Sequence, residues 1–301
     1  MNILLTGATG FIGKELCKHL ADEGHQLVIL TRNPQRASNT LGPSHEYIQW
    51  LEKDSTPWME VLEDVDGIIH LMGENVGSGL WTAAKREKIL NSRVKSGQLL
   101  VEALQKTNHK PEFLIQASGV NYYGSSADGA IDETADSGQG FLADVTRAWE
   151  DSTAPVEEMG VRRIIIRTGM VLEKGGALDK MALPFRFFMG GPIGGWQWVS
   201  WIHLIDEVRA IHFLTTDAHR GVYNLCAPNP VRQREFSRAL GKSLKRPSWL
   251  PVPAWAVRLL MGQMAEETVL SNLQVKPNRL LQAGFEFKYT HIQNALQDIF
   301  S

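Results

Sequence analysis

Cysteine is nearly absent: only Cys17 and Cys226 occur in 301 residues, far apart and in no CxxC or Cys/His spacing. This excludes a disulfide framework and offers no zinc pattern, so the expectation is two buried thiols and no metal. A surplus of charge is also lacking. The formal net charge is -2, which gives neither a basic surface for nucleic acid nor an acidic tail for a basic partner. No apolar run reaches the roughly 18 residues of a membrane span, and the chain opens in a strand-like run without a charged leader. These absences point to a cytoplasmic protein with no membrane and no nucleic-acid partner.

What is present is alternation. Met1 to Thr6 is a short apolar run before glycine, and Phe11 to Asp22 has helical spacing with Ile12, Leu16 and Leu20 on one stripe. "HQLVILTRN", "HEYIQW", "DGIIHLMG", "PEFLIQASG" and "RRIIIRTG" follow as β-rich runs, separated in places by long helical stretches at Thr82 to Gln105 and Phe141 to Met159. Nearly continuous apolar strands alternating with helices predict an α/β fold, a Rossmann-type doubly wound parallel sheet covered on both faces. After Gly169 the texture shifts to the glycine- and tryptophan-rich "MGGPIGGWQWVSWIH", then to a short strand, "GVYNL", and helices at Val231 to Leu244, Ala254 to Met261, Pro277 to Ala283 and His291 to Phe300. The expected division is a nucleotide-binding domain over residues 1–184, its sheet free to recruit a later strand, and a smaller, mostly helical C-terminal substrate lobe over 185–301. A cleft between them would take a small-molecule substrate.

Within "LLTGATGFIGKEL", Gly7, Gly10 and Gly13 form GxxGxxG between a strand and a helix, the context that raises a glycine pattern above noise. Gly7 permits the tight turn, Gly10 lets the backbone approach a pyrophosphate, and Gly13 allows helix and strand to pack closely. Thr9, Phe11 and Ile12 complete the loop at a helix start whose N–H groups suit an anion. The second strand ends at Thr31 and Arg32 with no carboxylate to accept from a ribose 2′-hydroxyl. Arg32 instead offers a planar fork suited to a phosphate, so the cofactor reads as NADP(H).

Together these segments resemble the short-chain dehydrogenase/reductase superfamily in its extended, epimerase-like branch. "HLMGEN", "SGVNYYG" and "IRTGMVL" continue the match; "LPFRFFMGGPIGGWQWVSWIHLID" and "LPVPAWAVRLLMG" resemble the atypical epimerase-family proteins, over nearly the whole chain. The resemblance implies an NADP-dependent oxidoreductase or nucleotide-sugar-epimerase-like activity. It places Leu71, Met72 and Gly73 beside the adenosine, Arg93 facing the cofactor, and Val171 beside the nicotinamide, and it suggests a sugar-nucleotide-like substrate.

The same resemblance expects a tyrosine with a lysine four residues later, so that the ammonium lowers the phenol's pKa. With the family's following glutamate at Glu150, those positions hold Leu142 and Thr146, and neither can take its role. Arg147 lies about 100° round the helix. The remaining candidates are Ser118, Tyr122 and Tyr123, at the carboxyl end of a strand where an open α/β sheet binds its ligand. Two readings stand for this cluster: proton transfer at the nicotinamide, or packing with the hydroxyls tied off. Two functions therefore stand as well, an enzyme and a non-catalytic NADP(H)-binding sensor or scaffold. His203 and Asp206 in "WIHLIDE" read as a turn into a helix rather than a metal site. Trp196 and Trp198 share a strand face opposite Trp201, and Lys14 and Lys18 read as solvated charges.

Overall fold

The computed structural model describes residues 1–51, 56–125, 129–216 and 219–301. Its first six strands are β1 (Asn2–Thr6), β2 (Gln26–Thr31), β3 (Glu46–Gln49), β4 (Gly67–His70), β5 (Phe113–Gly119) and β6 (Arg162–Thr168). Helices α1 (Phe11–Asp22), α2 (Pro34–Leu41), α3 (Thr56–Met59), α4 (Ala83–Lys106) and α5 (Phe141–Asp151) run between them. Then follow β7 (Met170–Leu172), α6 (Ala177–Arg186), β8 (Trp198–Val199), β9 (Trp201–His203), α7 (Leu204–Phe213), β10 (Gly221–Leu225) and β11 (Val231–Arg232). Helices α8 (Gln233–Ser243), α9 (Ala254–Met261), α10 (Gln263–Glu267), α11 (Asn278–Gln282) and α12 (Ile292–Phe300) close the chain.

Seven strands form one parallel sheet in the order β10-β6-β5-β4-β1-β2-β3, the doubly wound arrangement expected. Alternation along β1 explains why both faces are covered. Ile3 and Leu5 pack with Leu16 and Leu20 of α1 and Ile211 of α7, whereas Leu4 points to the other layer, with Leu100 and Leu104 of α4 and Trp58. A further apolar cluster joins Leu172 of β7 and Leu178 and Ala182 of α6 to Phe236 and Leu240 of α8 and Ile292 and Leu296 of α12, so it draws on residues before and after 185. Helix α7 covers one face of the sheet and β10 forms the edge beside β6.

Two expected helices differ in the structure. The stretch from Phe141 breaks after Asp151, and Ala154–Met159 is a 3-10 turn with Pro155 in its first turn, where the ring has no N–H to continue an α-helix. The segment from Val231 begins as the short strand β11, paired antiparallel to β8, before α8 starts at Gln233. Both cysteines are free and buried, as expected. Among the described residues no helix is long and apolar enough to cross a membrane, and no group of three or more His, Cys, Asp or Glu could hold a metal ion.

Candidate cofactor and active site

The three glycines divide their work. Gly7 turns the chain after β1 with φ +73, and a Cβ there would stand 2.9 Å from the Leu71 carbonyl carbon. A Cβ on Gly13 would stand 2.2 Å from the Gly7 carbonyl oxygen, so its absence lets α1 close against the loop. Gly10, the N-cap of α1, is different. It is exposed, its N–H donates to Gly7 O at 2.9 Å, and a Cβ there would meet only that oxygen, at 3.0 Å. Open space therefore lies outside the helix start, where no side chain caps the first-turn N–H groups and no carboxylate occupies the first turn. This cradle fits a pyrophosphate. Thr9 is exposed beside it, Ile12 packs on the core, and the Phe11 ring lies against Gly176 at the start of α6.

At the next strand end Thr31 is half-buried and its carbonyl accepts from Trp50 N at 2.7 Å, which leaves Arg32 exposed on the entry to α2. Asn33 caps that helix by accepting from Arg36 N–H at 3.0 Å. The cap sets exposed Arg36 in the first turn, a second cation that the sequence reading missed although Pro34 marks the helix start. Neither arginine forms an ion pair among the described residues.

Beneath the loop His70 is fully buried, its ring nitrogens 2.9 Å from Thr6 Oγ1 and 3.1 Å from Ser96 Oγ. Burial pulls its pKa down to about 4, so a neutral imidazole ties β1, β4 and α4 together. Leu71 and Met72 are half-buried and Gly73 is exposed. A Cβ on Gly73 would stand 2.9 Å from the Arg93 guanidinium carbon, which packs 4.8 Å from the Trp149 ring. Burial lowers the Arg93 pKa to about 10, and its guanidinium donates to the carbonyls of Glu74 (2.9 Å) and Ile89 (3.1 Å). The Glu74 carboxylate instead pairs with Lys85 (2.6 Å) and Lys88 (3.3 Å). Val171, in β7, is half-buried against the sheet core. Lys180 of α6 reaches across to Gly77 O at 3.1 Å, joining the two sides of this edge.

The strand-end hydroxyls are brought together, but around a buried ion pair. Arg167 of β6 grips Glu150 of α5 through two bonds of 2.8 Å, and Ser118 Oγ donates to the same carboxylate at 2.6 Å. Arg167 also donates to Tyr123 Oη at 3.1 Å, while that hydroxyl donates to Asn224 Oδ1 at 2.7 Å. Burial pushes the Tyr123 phenol up to about 12. Desolvation works against charge on Arg167, but Glu150 outweighs it and holds the guanidinium charged above its ordinary range. Two of the three candidate hydroxyls thus already donate to protein. The Tyr122 ring is half-buried over Arg167, 3.3 Å from the guanidinium carbon, and its hydroxyl has no partner among the described residues. Arg167 and Asn224 went unnoticed in the sequence because they lie on other strands.

Leu142 is buried with Trp81, Ile89 and Met264, and the Thr146 hydroxyl is spent on the carbonyls of Leu142 (2.8 Å) and Ala143 (3.0 Å). Arg147 is exposed and bonded to Asp144 and Ser137. His203 Nδ1 caps α7 by accepting from Ile205 N–H at 3.1 Å, and Asp206 accepts from the N–H groups of Lys288 and Tyr289, both at 2.8 Å. Trp201 is fully buried, whereas Trp196 is 73% exposed; Lys14 and Lys18 are exposed.

Residues 3–144 match the family described as NAD dependent epimerase/dehydratase family, and residues 252–299 match a domain of unknown function, DUF1731. The chain is 38% identical over 304 residues to the epimerase family protein SDR39U1 homolog, chloroplastic, of Arabidopsis thaliana, covering 99% of this chain and 86% of that one. It belongs to this epimerase family. The epimerase family protein YfhF of Bacillus subtilis is 36% identical, with 99% and 98% of the two chains covered. Among solved structures, human epimerase family protein SDR39U1 (isoform 2) with NADPH superposes with a TM-score of 0.87 at 31% identity, over 100% of this chain and 99% of the other. A UDP-glucuronic acid 4-epimerase from Bacillus cereus, solved with UDP-glucuronic acid and NAD, shares the fold with a TM-score of 0.78 at 16% identity, over 100% of this chain and 98% of that one.

Proposed function

We propose that this family member is an NADP(H)-dependent oxidoreductase, epimerase-like in its fold, that acts on a small polar carbonyl or alcohol of the sugar-nucleotide type. One observation carries the reading: an open helix start at Gly10 beside a strand end followed by Arg32, with Arg36 in the first turn of the next helix and no carboxylate between them. The NADPH in the human relative's structure supports it. Arg32 and Arg36 would take the 2′-phosphate, the Thr9–Ile12 backbone the pyrophosphate, and Leu71, Met72 and Gly73 the adenosine side. Arg93, packed against Gly73, would face the cofactor there, and Val171 would lie beside the nicotinamide. The bound nicotinamide supplies the hydride. The chain must supply the proton for the substrate oxygen, and Tyr122 has the uncommitted hydroxyl. Ser118 and Tyr123, bonded into the Glu150–Arg167 pair, hold the strand end in place.

Calorimetric titration tests the cofactor assignment. NADPH should bind more tightly than NADH, and Arg32→Ala should lose about 1.5–3 kcal/mol of NADPH affinity, ten- to a hundredfold, with NADH unchanged. Equal affinities would refute it. A carbonyl panel followed by NADPH oxidation then tests the proton donor: Tyr122→Phe should abolish turnover and keep NADPH affinity. Full turnover in Tyr122→Phe would return the role to another group.

A further inference from the structure

The face of the C-terminal region built by α8 and the loops at residues 187–191 and 248–252 has a composition unlike the rest of the molecule. Residues 232–246 carry six cations, Arg232, Arg234, Arg238, Lys242, Lys245 and Arg246, against the single carboxylate Glu235, in a chain of net charge -2. None of the six forms an ion pair among the described residues. Beside them large apolar side chains stand in solvent: Phe187 is 65% exposed, Phe188 56%, Met189 55%, Trp249 67% and Leu250 45%. A patch of this kind on a soluble domain marks an interaction site.

The two chemistries interleave. Trp249 N and Leu250 N both donate to Gly190 O, at 3.0 and 3.1 Å, and Trp249 Nε1 donates to Phe188 O at 2.9 Å. A Cβ on Gly191 would stand 1.9 Å from Leu250 O, so the seam between the loops is tight. Arg246 lies 4.6 Å over the Phe188 ring, and Phe188 is held at φ +61, a conformation costly for a bulky residue that persists only where its surroundings impose it. Between the seam and α8 is a recess of about 170 Å³ lined by Arg234, Arg238, Ser248 and Trp249. Arg234 and Arg238 stand at i, i+4 on one helix face, where like charges repel unless an anion lies between them.

We propose that this face docks on an anionic lipid bilayer, with headgroup phosphates taken by the α8 cations and the recess, and the Phe187, Met189, Trp249 and Leu250 side chains of the two loops entering the interface. Tryptophan and exposed aliphatic groups flanked by arginine and lysine match the layered chemistry of a membrane surface. Nucleic acid offers phosphates but nothing to cover Phe187, Met189 and Leu250. A second copy docked stripe to stripe would set these cations against their own copies. The face lies away from the glycine loop: α6 touches Phe11 at its start, through Gly176, and ends at this face ten residues on, roughly 15 Å along its axis.

The full chain is sedimented with vesicles of phosphatidylcholine and phosphatidylglycerol, mixed two to one, and with phosphatidylcholine vesicles alone. Binding to the mixed vesicles should be stronger on the order of tenfold and should fall as salt rises toward about 0.5 M. Arg234→Gln with Arg238→Gln, and separately Phe187→Ser with Met189→Ser, should each weaken it several-fold while circular dichroism and the thermal melt stay at wild type. If either variant misfolds, a blue shift of the wild-type tryptophan emission on mixed vesicles, reversed by salt, reads the same contact. No sedimentation, equal binding to both vesicles, or unaltered binding by well-folded variants overturns the proposal. So does a dimer in light scattering that Phe187→Ser with Met189→Ser dissociates, which would give the face to a second copy.

Discussion

Glu207 is a carboxyl group buried without a charge to meet. It is fully buried on α7, Thr168 Oγ1 donates to one of its oxygens at 2.7 Å, and the other has no partner among the described residues. Burial pushes its pKa from 4.5 up to about 8. The folded protein therefore keeps a proton that the unfolded chain releases above pH 4.5, so stability declines as pH rises from there through about 8. His70 acts in the opposite sense: its folded pKa of about 4 lies below 6.5, so its contribution is complete above pH 6.5 and declines as pH falls toward 4. Urea melts at pH 6.5 and pH 8 on wild type and Glu207→Gln separate the two, because the His70 contribution is common to both proteins. Wild type should lose about 1.5 kcal/mol over that interval relative to Glu207→Gln, in which the slope is removed. Parallel curves would mean that Glu207 is ionised in the fold. Neither group was legible in the sequence: "WIHLIDE" shows only an acid at a helix start and "GIIHLMG" only a histidine in a strand, and packing by distant elements is what removes their water.

The strand–loop–helix unit at the N-terminus was readable because its chemistry is local: backbone freedom, a missing Cβ and unpaired N–H groups lie within seven consecutive residues. The structure adds that the glycines are not equivalent. Gly10→Val should cost about 1 kcal/mol, since only one oxygen at 3.0 Å is crowded, yet abolish NADPH binding by filling the cradle. Gly13→Val drives a side chain into Gly7 O and should cost about 3 kcal/mol or prevent folding. Thermal melts and titration on the pair would show the split, and a Gly10→Val protein that binds normally would remove the loop from the site. The strand-end cluster was readable only in part. Ser118, Tyr122 and Tyr123 do converge, but the partners that commit two of their hydroxyls, Glu150, Arg167 and Asn224, come from α5, β6 and β10, and sequence spacing carries no record of that convergence. Helix ends follow the same rule. Ala254–Met261 matches its apolar spacing, whereas the stretch from Phe141 stops at Asp151, before the turn that contains Pro155.

At the scale of the whole molecule, neither the shift in composition after Gly169 nor residue 184 marks a place where the chain can be cut. Val208 and Ile211 of α7 and Tyr223 and Leu225 of β10 complete the apolar layer that includes Ile3, Ile164 and Ile166. A fragment ending at residue 184 should therefore expose β6 as a bare edge and lose one side of that layer. It should aggregate or bind a hydrophobic dye, whereas the full chain should not. A soluble, cooperatively melting fragment would show that the sheet is complete without its seventh strand.

The order in which those strands leave the ribosome follows directly. β6 ends at Thr168, but its outer neighbour ends at Leu225. At roughly 5–20 residues per second, several seconds of translation separate them. During that interval the nascent chain holds six finished strands and an unpaired parallel edge, and a chaperone or a neighbouring nascent chain has access to it before the protein can close its own sheet.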